Sequence, residues 1–339
     1  MPQNPPPAPD IAPADLAALR DRTIAIVGYG NQGAAHAANL RDNGLQITIG
    51  ARPGGAGWRR AETDGFAPRP IAEATAGCDL LVVALPDEVQ PAVWASDIAP
   101  NLTPGVVVGF LHGFAIHHGL ITAPPGVPVV MVAPKGPGHT LRQRFVGGAG
   151  LPCLFAVAAD DPEERGRARG LAWAHGIGGG RAAIIETTFA DETETDLFGE
   201  QAVLCGGMTA LIVAAFETLV AAGYPADLAY MEVCQEVKQV ADLVYERGLA
   251  GMMEAISNTA EFGAYRAGPV VVDDALRRRL ETQLAGIRDG TFARIMMNDH
   301  AQGFPWFTTQ RVALRDHPIE AAGKAVRSWM TRGSERTHR

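Results

Sequence analysis

The chain has 339 residues, enough for two domains with sizeable cores, and at 47% hydrophobic and 19% charged it has the balance of an ordinary globular protein. A formal net charge of -8 and a pI near 5.6 argue against a nucleic-acid partner, which would call for a basic face. Cys78, Cys153, Cys205 and Cys234 show no CxxC or CxxH spacing, so they read as reduced, buried thiols of a cytoplasmic protein. No apolar run approaches the length that crosses a bilayer, which argues against a membrane partner.

Residues 1–14 are proline-rich and lack both the features of a secretory signal and the arginines of a transit peptide; they read as a disordered leader. Short apolar runs at 23–27, 46–49, 80–84, 106–110 and 129–132 predict strands, with a sixth at 154–158. Segments 34–43, 57–64 and 89–98 carry helical patterns among them. This alternation predicts an α/β fold, a Rossmann-like parallel sheet covered on both faces, over 15–187. The glycines of 176–180 mark the approach to a boundary. Beyond it strand signals vanish, and helical patterns at 191–222, 225–247, 251–262, 273–290 and 291–300 predict an all-α C-terminal domain over 188–330. A polar tail, 331–339, is expected to fray.

Directly after the first predicted strand stands Gly28-Tyr29-Gly30-Asn31-Gln32-Gly33, a GxGxxG loop opening a helical pattern. Its glycines permit a tight turn and let backbone amides meet a pyrophosphate at the helix N-terminus. After the second strand, where an NAD site would place an acid, stands Arg52, which favours a 2′-phosphate and hence NADP; the alternative is a solvated loop residue. Further along, Asp196 and Glu200 are four residues apart, as are Glu232 and Glu236. Such pairs share a helix face and repel unless a cation lies between them, and hard oxygen donors suit Mg²⁺. For Glu232 and Glu236 alone a solvated face fits as well, with Lys238 pairing locally. Asp191 and Glu192 are accounted for by the positive end of a helix dipole. His117 and His118 read as surface residues.

With GYGNQG, the PDEVQ run ending at Gln90, His112-Gly113-Phe114, the APKGPGH run ending at His139, the acidic run 186–201, Gly206-Gly207, and Ser257 within ISNTAE, the chain resembles the short, bacterial-type ketol-acid reductoisomerases from about Leu16 to Met330. The resemblance implies conversion of 2-acetolactate to 2,3-dihydroxy-3-methylbutanoate, and of 2-aceto-2-hydroxybutanoate to its homologue, in valine and isoleucine synthesis. It implies NADPH, two Mg²⁺ ions and a knotted C-terminal domain. Asp87, Glu88, Val89, Gln90 and Gly138 are then cofactor contacts beside the GxGxxG loop. His112 lies near the nicotinamide, and Lys135 hydrogen-bonds metal-bound water. Asp196 bridges the metals, Glu200 completes one side, and Glu232 and Glu236 serve the other. Glu236 is the candidate for proton transfer, and Ser257 holds the substrate carboxylate. In dimeric members Glu232, Glu236 and Ser257 come from the neighbouring subunit, so a homodimer or larger homo-oligomer with shared active sites is expected.

The chain departs from the family pattern at Gly55 and Gly57, where serines commonly bind the 2′-phosphate. Backbone amides of the loop can still form an anion nest, and no acid selects NADH; NADPH preference is expected, with use of NADH left open. Gln235, Gln239 and Ala255 also depart from the pattern, while the metal ligands and Ser257 are retained. The alternative reading is a paralogue that reduces a different 2-keto acid in a specialised pathway.

Overall fold

The structure, a computed structural model, describes residues 16–158 and 163–336. The leader expected at 1–14 lies outside the described residues. The chain divides into two compact units, one through Thr195 and one from Asp196.

The first unit is built on seven strands: β1 Thr23–Val27, β2 Gln46–Gly50, β3 Leu80–Val83, β4 Val107–Phe110, β5 Val129–Pro134, β6 Cys153–Val157 and β7 Ile184–Glu186. They lie in the order β2-β1-β3-β4-β5-β6-β7. The sheet is parallel from β2 to β5, as expected. β6 then runs antiparallel to β5, and β7 follows β6 in parallel. The apolar run at 153–157 carries no record of its own direction, so this reversal was not predicted. Every residue of β3 and β4 is buried, as continuous apolar runs require when helices cover both faces.

Those helices are α1 Asn31–Asp42, α2 Ala56–Thr63, α3 Ile71–Thr75, α4 Gln90–Val93, α5 Phe114–His117, α6 Gly138–Val146, α7 Arg165–Gly176 and the start of α8 Phe189–Gly199. A π-helical segment, Trp94–Ile98, follows α4. Small residues set the packing distances. A Cβ on Gly109 of β4 would stand 2.5 Å from the Trp173 ring of α7, so glycine makes room for the indole. That indole N–H donates to Nδ1 of the buried His36 (3.0 Å), and burial lowers the imidazole pKa to about 3. The thiols of Cys78 and Cys153 are buried and pushed up to about 12 for the same reason. Cys205, by contrast, is exposed and Cys234 half-buried, which corrects the expectation of four buried thiols.

The second unit is helical throughout its described residues. It completes α8 and continues through α9 Gly206–Ala221, α10 Ala226–Tyr230, α11 Val237–Glu254, α12 Asn258–Val271, α13 Asp274–Arg288, α14 Thr291–Ala301, α15 Pro305–Arg315 and α16 Pro318–Arg336. Two π-helical segments interrupt this series, Glu200–Leu204 before α9 and Met231–Gln235 before α11. Within α11 the helix breaks at Gly248, whose φ of 72° is open to glycine at little cost. The helix predicted over 251–262 is two: α11 ends at Glu254, and Ser257 caps α12 by accepting from the Ala260 N–H at 3.2 Å. The last two helices went unpredicted, and α16 carries the tail on to Arg336.

The continuous run Phe189–Ala221 holds an 18-residue window of mean hydropathy 2.0, only 6% of it buried in this chain. Length and composition alone would let that helix cross a bilayer, contrary to the sequence expectation. One such helix is weak evidence for a membrane, because a helix covered by protein passes the same test. The core of this unit is small: Phe216 of α9, Ala229 and Tyr230 of α10, and Ile319, Ala322 and Val326 of α16.

Candidate functional site

In the sheet unit the strand order reverses beside β1, and the crevice at the carboxyl ends of β1 and β3 is where such folds bind dinucleotides. Gly28 turns the chain there with φ 99°, and a Cβ on it would stand 2.4 Å from the Ala84 carbonyl oxygen. A Cβ on Gly33 would meet the Gly28 oxygen at 2.1 Å, and one on Gly138 the Asn31 oxygen at 2.2 Å. Three glycines thus create a bare backbone cradle. Gln32 ties it to the next loop by donating to the Gly136 carbonyl at 2.9 Å. Tyr29 is buried beneath it and donates to Asp64, the C-cap of α2, at 3.0 Å.

The Asp87–Gln90 turn is held by Gln90, which donates to the Leu85 carbonyl (2.8 Å) and to Asp87 (3.0 Å). Glu88 and Val89 lie half-buried in that turn. The Oε1 atoms of Gln32 and Gln90 are buried without a hydrogen-bond partner. Buried acceptors of this kind call for a donor from outside the chain, such as a ribose hydroxyl or an amide. Arg52 is exposed on the loop after β2, and Gly55 begins α2 with no side-chain cap. Cradle, orphan acceptors and Arg52 together fit a dinucleotide.

The residue that organises the sheet unit's polar centre escaped the sequence reading. Glu192, in the first turn of α8, is 1% exposed. One of its oxygens accepts from His112 Nδ1 at 2.9 Å and from the Gly113 N–H at 3.0 Å; the other accepts from Lys135 Nζ at 3.0 Å. Burial pushes this carboxyl up, but hydrogen bonds and positive charge from His112 and Lys135 outweigh it and hold the group below the usual carboxylate range. Binding Nδ1–H to a carboxylate leaves His112 Nε2 as the imidazole's second functional nitrogen. A helix-dipole acid would sit exposed, so the dipole account of Glu192 is corrected. Its signal was present: Glu192, Asp196 and Glu200 continue one four-residue spacing. His117 faces Glu194 at 3.5 Å and His118 packs edge-on against Phe114, so neither is the surface residue expected.

In the helical unit Asp196 is half-buried on α8, while Glu200, Glu232, Glu236 and Ser257 are exposed. Glu200 is the first residue of one π segment; Glu232 is the second residue of the other, and Glu236 follows it directly. Lys238 pairs with Asp242, not with either of these glutamates. The structure thus brings His112 and Lys135 together around Glu192, and places each acid pair on its own helix. Four carboxylates are a donor set suited to Mg²⁺.

Residues 18–183 match the family model described as acetohydroxy acid isomeroreductase, NADPH-binding domain, and residues 189–332 the one described as ketol-acid reductoisomerase, C-terminal domain. A solved NADH-preferring ketol-acid reductoisomerase from an uncultured archean is 39% identical, with a TM-score of 0.90 over 93% of this chain and 96% of that one. The chain belongs to the ketol-acid reductoisomerase family. More distant likenesses show the fold alone. A semialdehyde dehydrogenase NAD-binding protein from Cupriavidus necator matches with a TM-score of 0.61 at 18% identity, over 79% of this chain and 98% of that one. A pyrroline-5-carboxylate reductase from Coxiella burnetii matches with 0.51 at 14%, over 79% and 96%. Within the ketol-acid reductoisomerase family, the run around Glu192 falls at the start of the C-terminal domain match, and its partners His112 and Lys135 in the cofactor-binding one.

Proposed function

We propose that the chain is an authentic ketol-acid reductoisomerase, converting 2-acetolactate to 2,3-dihydroxy-3-methylbutanoate and 2-aceto-2-hydroxybutanoate to its homologue. The observation that carries this reading is the retention, in one family chain, of a dinucleotide cradle and of two acid pairs on the helical unit. Residues 15–187 form the cofactor domain and 188–330 the domain that holds metal and substrate. When bound, two Mg²⁺ ions supply Lewis acidity for alkyl migration and NADPH supplies the hydride.

The chain's own residues do the rest. Gly28 to Gly33, Asp87 to Gln90 and Gly138 bind and orient the cofactor. Arg52 and the α2 amides hold a 2′-phosphate. The Gly55 and Gly57 loop lacks the hydroxyls that would strengthen that grip, which supports NADPH use with relaxed discrimination. Glu192 fixes the His112 imidazole and the Lys135 ammonium in direction and charge. Asp196, Glu200, Glu232 and Glu236 would hold the metals through their carboxylates. Glu236 moves the proton, and Ser257 donates its hydroxyl hydrogen to the substrate carboxylate, since its oxygen already accepts from Ala260.

The helical unit exposes Leu249, Phe262, Tyr265 and Val270. Apolar side chains in such number support burial against a second copy, which contributes Glu232, Glu236 and Ser257 to a shared site. The same burial accounts for the apolar half of Phe189–Ala221 in a cytoplasmic homo-oligomer without a membrane.

The test is oxidation of NADPH and of NADH by purified protein with 2-acetolactate, with and without Mg²⁺. Turnover that strictly requires Mg²⁺ is expected. Reduction of 3-hydroxy-3-methyl-2-oxobutanoate, the rearranged intermediate, without turnover of 2-acetolactate would instead point to the specialised paralogue.

A further inference from the structure

Of the three π-helical segments among the described residues, two fall on the acid pairs. A π turn adds one residue to a helix, and one residue is worth about 100° of rotation. In the first, the Cys205 N–H reaches back five residues to the Glu200 carbonyl at 2.8 Å; in the second, the Glu236 N–H reaches Met231 at 3.3 Å. Downstream of the first turn, α9 is anchored by Phe216, which is 2% exposed in the core of the helical unit. Upstream lies Asp196, and Glu200 opens the turn itself. The π turn therefore sets how the carboxylate face is rotated relative to the buried face of α9.

The sequence marks this turn with Gly206 and Gly207, two residues that the reading of the active site leaves without a role. A Cβ on Gly206 would stand 2.2 Å from the Gln201 carbonyl oxygen, and one on Gly207 2.0 Å from that of Ala202. Both carbonyls lie five residues back, on the widened turn itself. No side chain can enter without moving the backbone. The second π turn is followed by Val237 and Lys238, so a π turn does not by itself demand glycine. The two differ in their last linking residue. Cys205 adopts φ -111°, ψ -54°, whereas Glu236 adopts φ -77°, ψ -15°. At the first, the Gln201 and Ala202 carbonyls lie where side chains on the next two residues would stand.

We propose that Gly206 and Gly207 are positioning residues for the Asp196 and Glu200 carboxylates, permitting the π turn that aims this pair and so setting the affinity for divalent cation. The inference rests on the reading of Asp196 and Glu200 as Mg²⁺ ligands. Gly206 and Gly207, which carry no side chain, touch nothing in the reaction; they act only through the helix phase.

The experiment is Mg²⁺ titration of the full-length protein by calorimetry in the presence of NADPH, alongside NADPH affinity and melting temperature. Gly207→Ala is expected to weaken Mg²⁺ binding at least tenfold with NADPH affinity unchanged. Gly199→Ala lies on α8 with nothing within 4 Å of the new Cβ and is expected to bind Mg²⁺ within twofold of the parent. Should Gly207→Ala fold poorly, deleting the exposed Val203 in the same variant removes the extra residue. It is expected to restore the melting temperature while Mg²⁺ binding stays weak. Parental Mg²⁺ affinity in a folded Gly207→Ala protein, or in the deletion variant, would overturn the proposal. Equal Mg²⁺ binding by the parent and Asp196→Asn would instead overturn the ligand reading beneath it.

Discussion

The two units of this chain solve the burial problem in opposite ways. In the sheet unit two apolar clusters fill both faces of the sheet, and most of their members are wholly buried. In the helical unit the core cluster among the described residues has only six buried members. Val146 apart, every large apolar side chain counted as exposed among the described residues lies beyond residue 200, with Val270 at 77% and Leu249 at 72%. Charge follows the same division. Glu192 of the sheet unit is buried, whereas Glu200, Glu232 and Glu236 of the helical unit are exposed. The sheet unit buries its apolar side chains within itself, whereas the helical unit leaves many of its own exposed. The difference teaches where to expect the chemistry to depend on assembly.

The largest effect that sharpens this contrast is at Asp196. Asp196→Asn is expected to lower 2-acetolactate turnover at least about 10³-fold, because Lewis-acid stabilisation is worth several kcal/mol. NADPH binding, a property of the sheet unit, should persist. Fluorescence titration of NADPH beside steady-state rates checks both, and normal turnover would disprove the bridging role.

Glu192→Gln comes next. Removing the anion leaves Lys135 and His112 without their buried counter-charge, and breaking such a pair costs about 3–5 kcal/mol. Urea denaturation should show that loss, whereas Glu200→Gln, on an exposed position, should change stability by no more than about 0.5 kcal/mol. Equal losses at the two sites would erase the distinction between the units.

How much of this was legible follows the same line. The strand at 23–27 was readable to the residue because its side chains are buried on both faces, so the apolar run and the strand coincide. The GxGxxG loop was readable because backbone approach demands glycine whatever surrounds it. Glu192 was not, since an acid near a helix start looks the same whether it meets water or Lys135. The π turns were not either. A π turn is a one-residue insertion that shifts the helix phase without a local periodicity of its own. The break before Ser257 was hidden by helix-compatible residues on both sides.

His36 offers a smaller test confined to the sheet unit. Its folded value is about 3 against an ordinary 6.5, so between those pH values the unfolded chain binds a proton that the folded one does not. Stability therefore falls as pH falls, by about 1.4 kcal/mol per unit from this group. His36→Gln retains an acceptor for Trp173 and should flatten the decline between pH 6 and 4 by that amount. An unchanged slope would place the acid sensitivity elsewhere.

The smallest expected change is in cofactor choice. A Cβ on Gly57 meets Tyr29 at an ordinary 3.5 Å, whereas one on Gly55 would press on the Arg52 carbonyl at 3.0 Å. Gly57→Ser is thus the tolerated route to a 2′-phosphate bond. It should raise the NADPH-to-NADH ratio of kcat/KM by about tenfold, a charged hydrogen bond being worth about 1.5 kcal/mol or more.

The most direct test of the central claim, that the helical unit is completed by a second copy, is complementation between two inactive variants. Asp196→Asn and Glu236→Gln are each expected to be inactive alone. Co-expressed, random pairing makes half the dimers mixed, each with one intact site, so turnover should recover to about a quarter of the parent. If the mixture stays as inactive as its components although mixed dimers are isolated, the acid pairs belong to one chain and the account of a shared site is wrong.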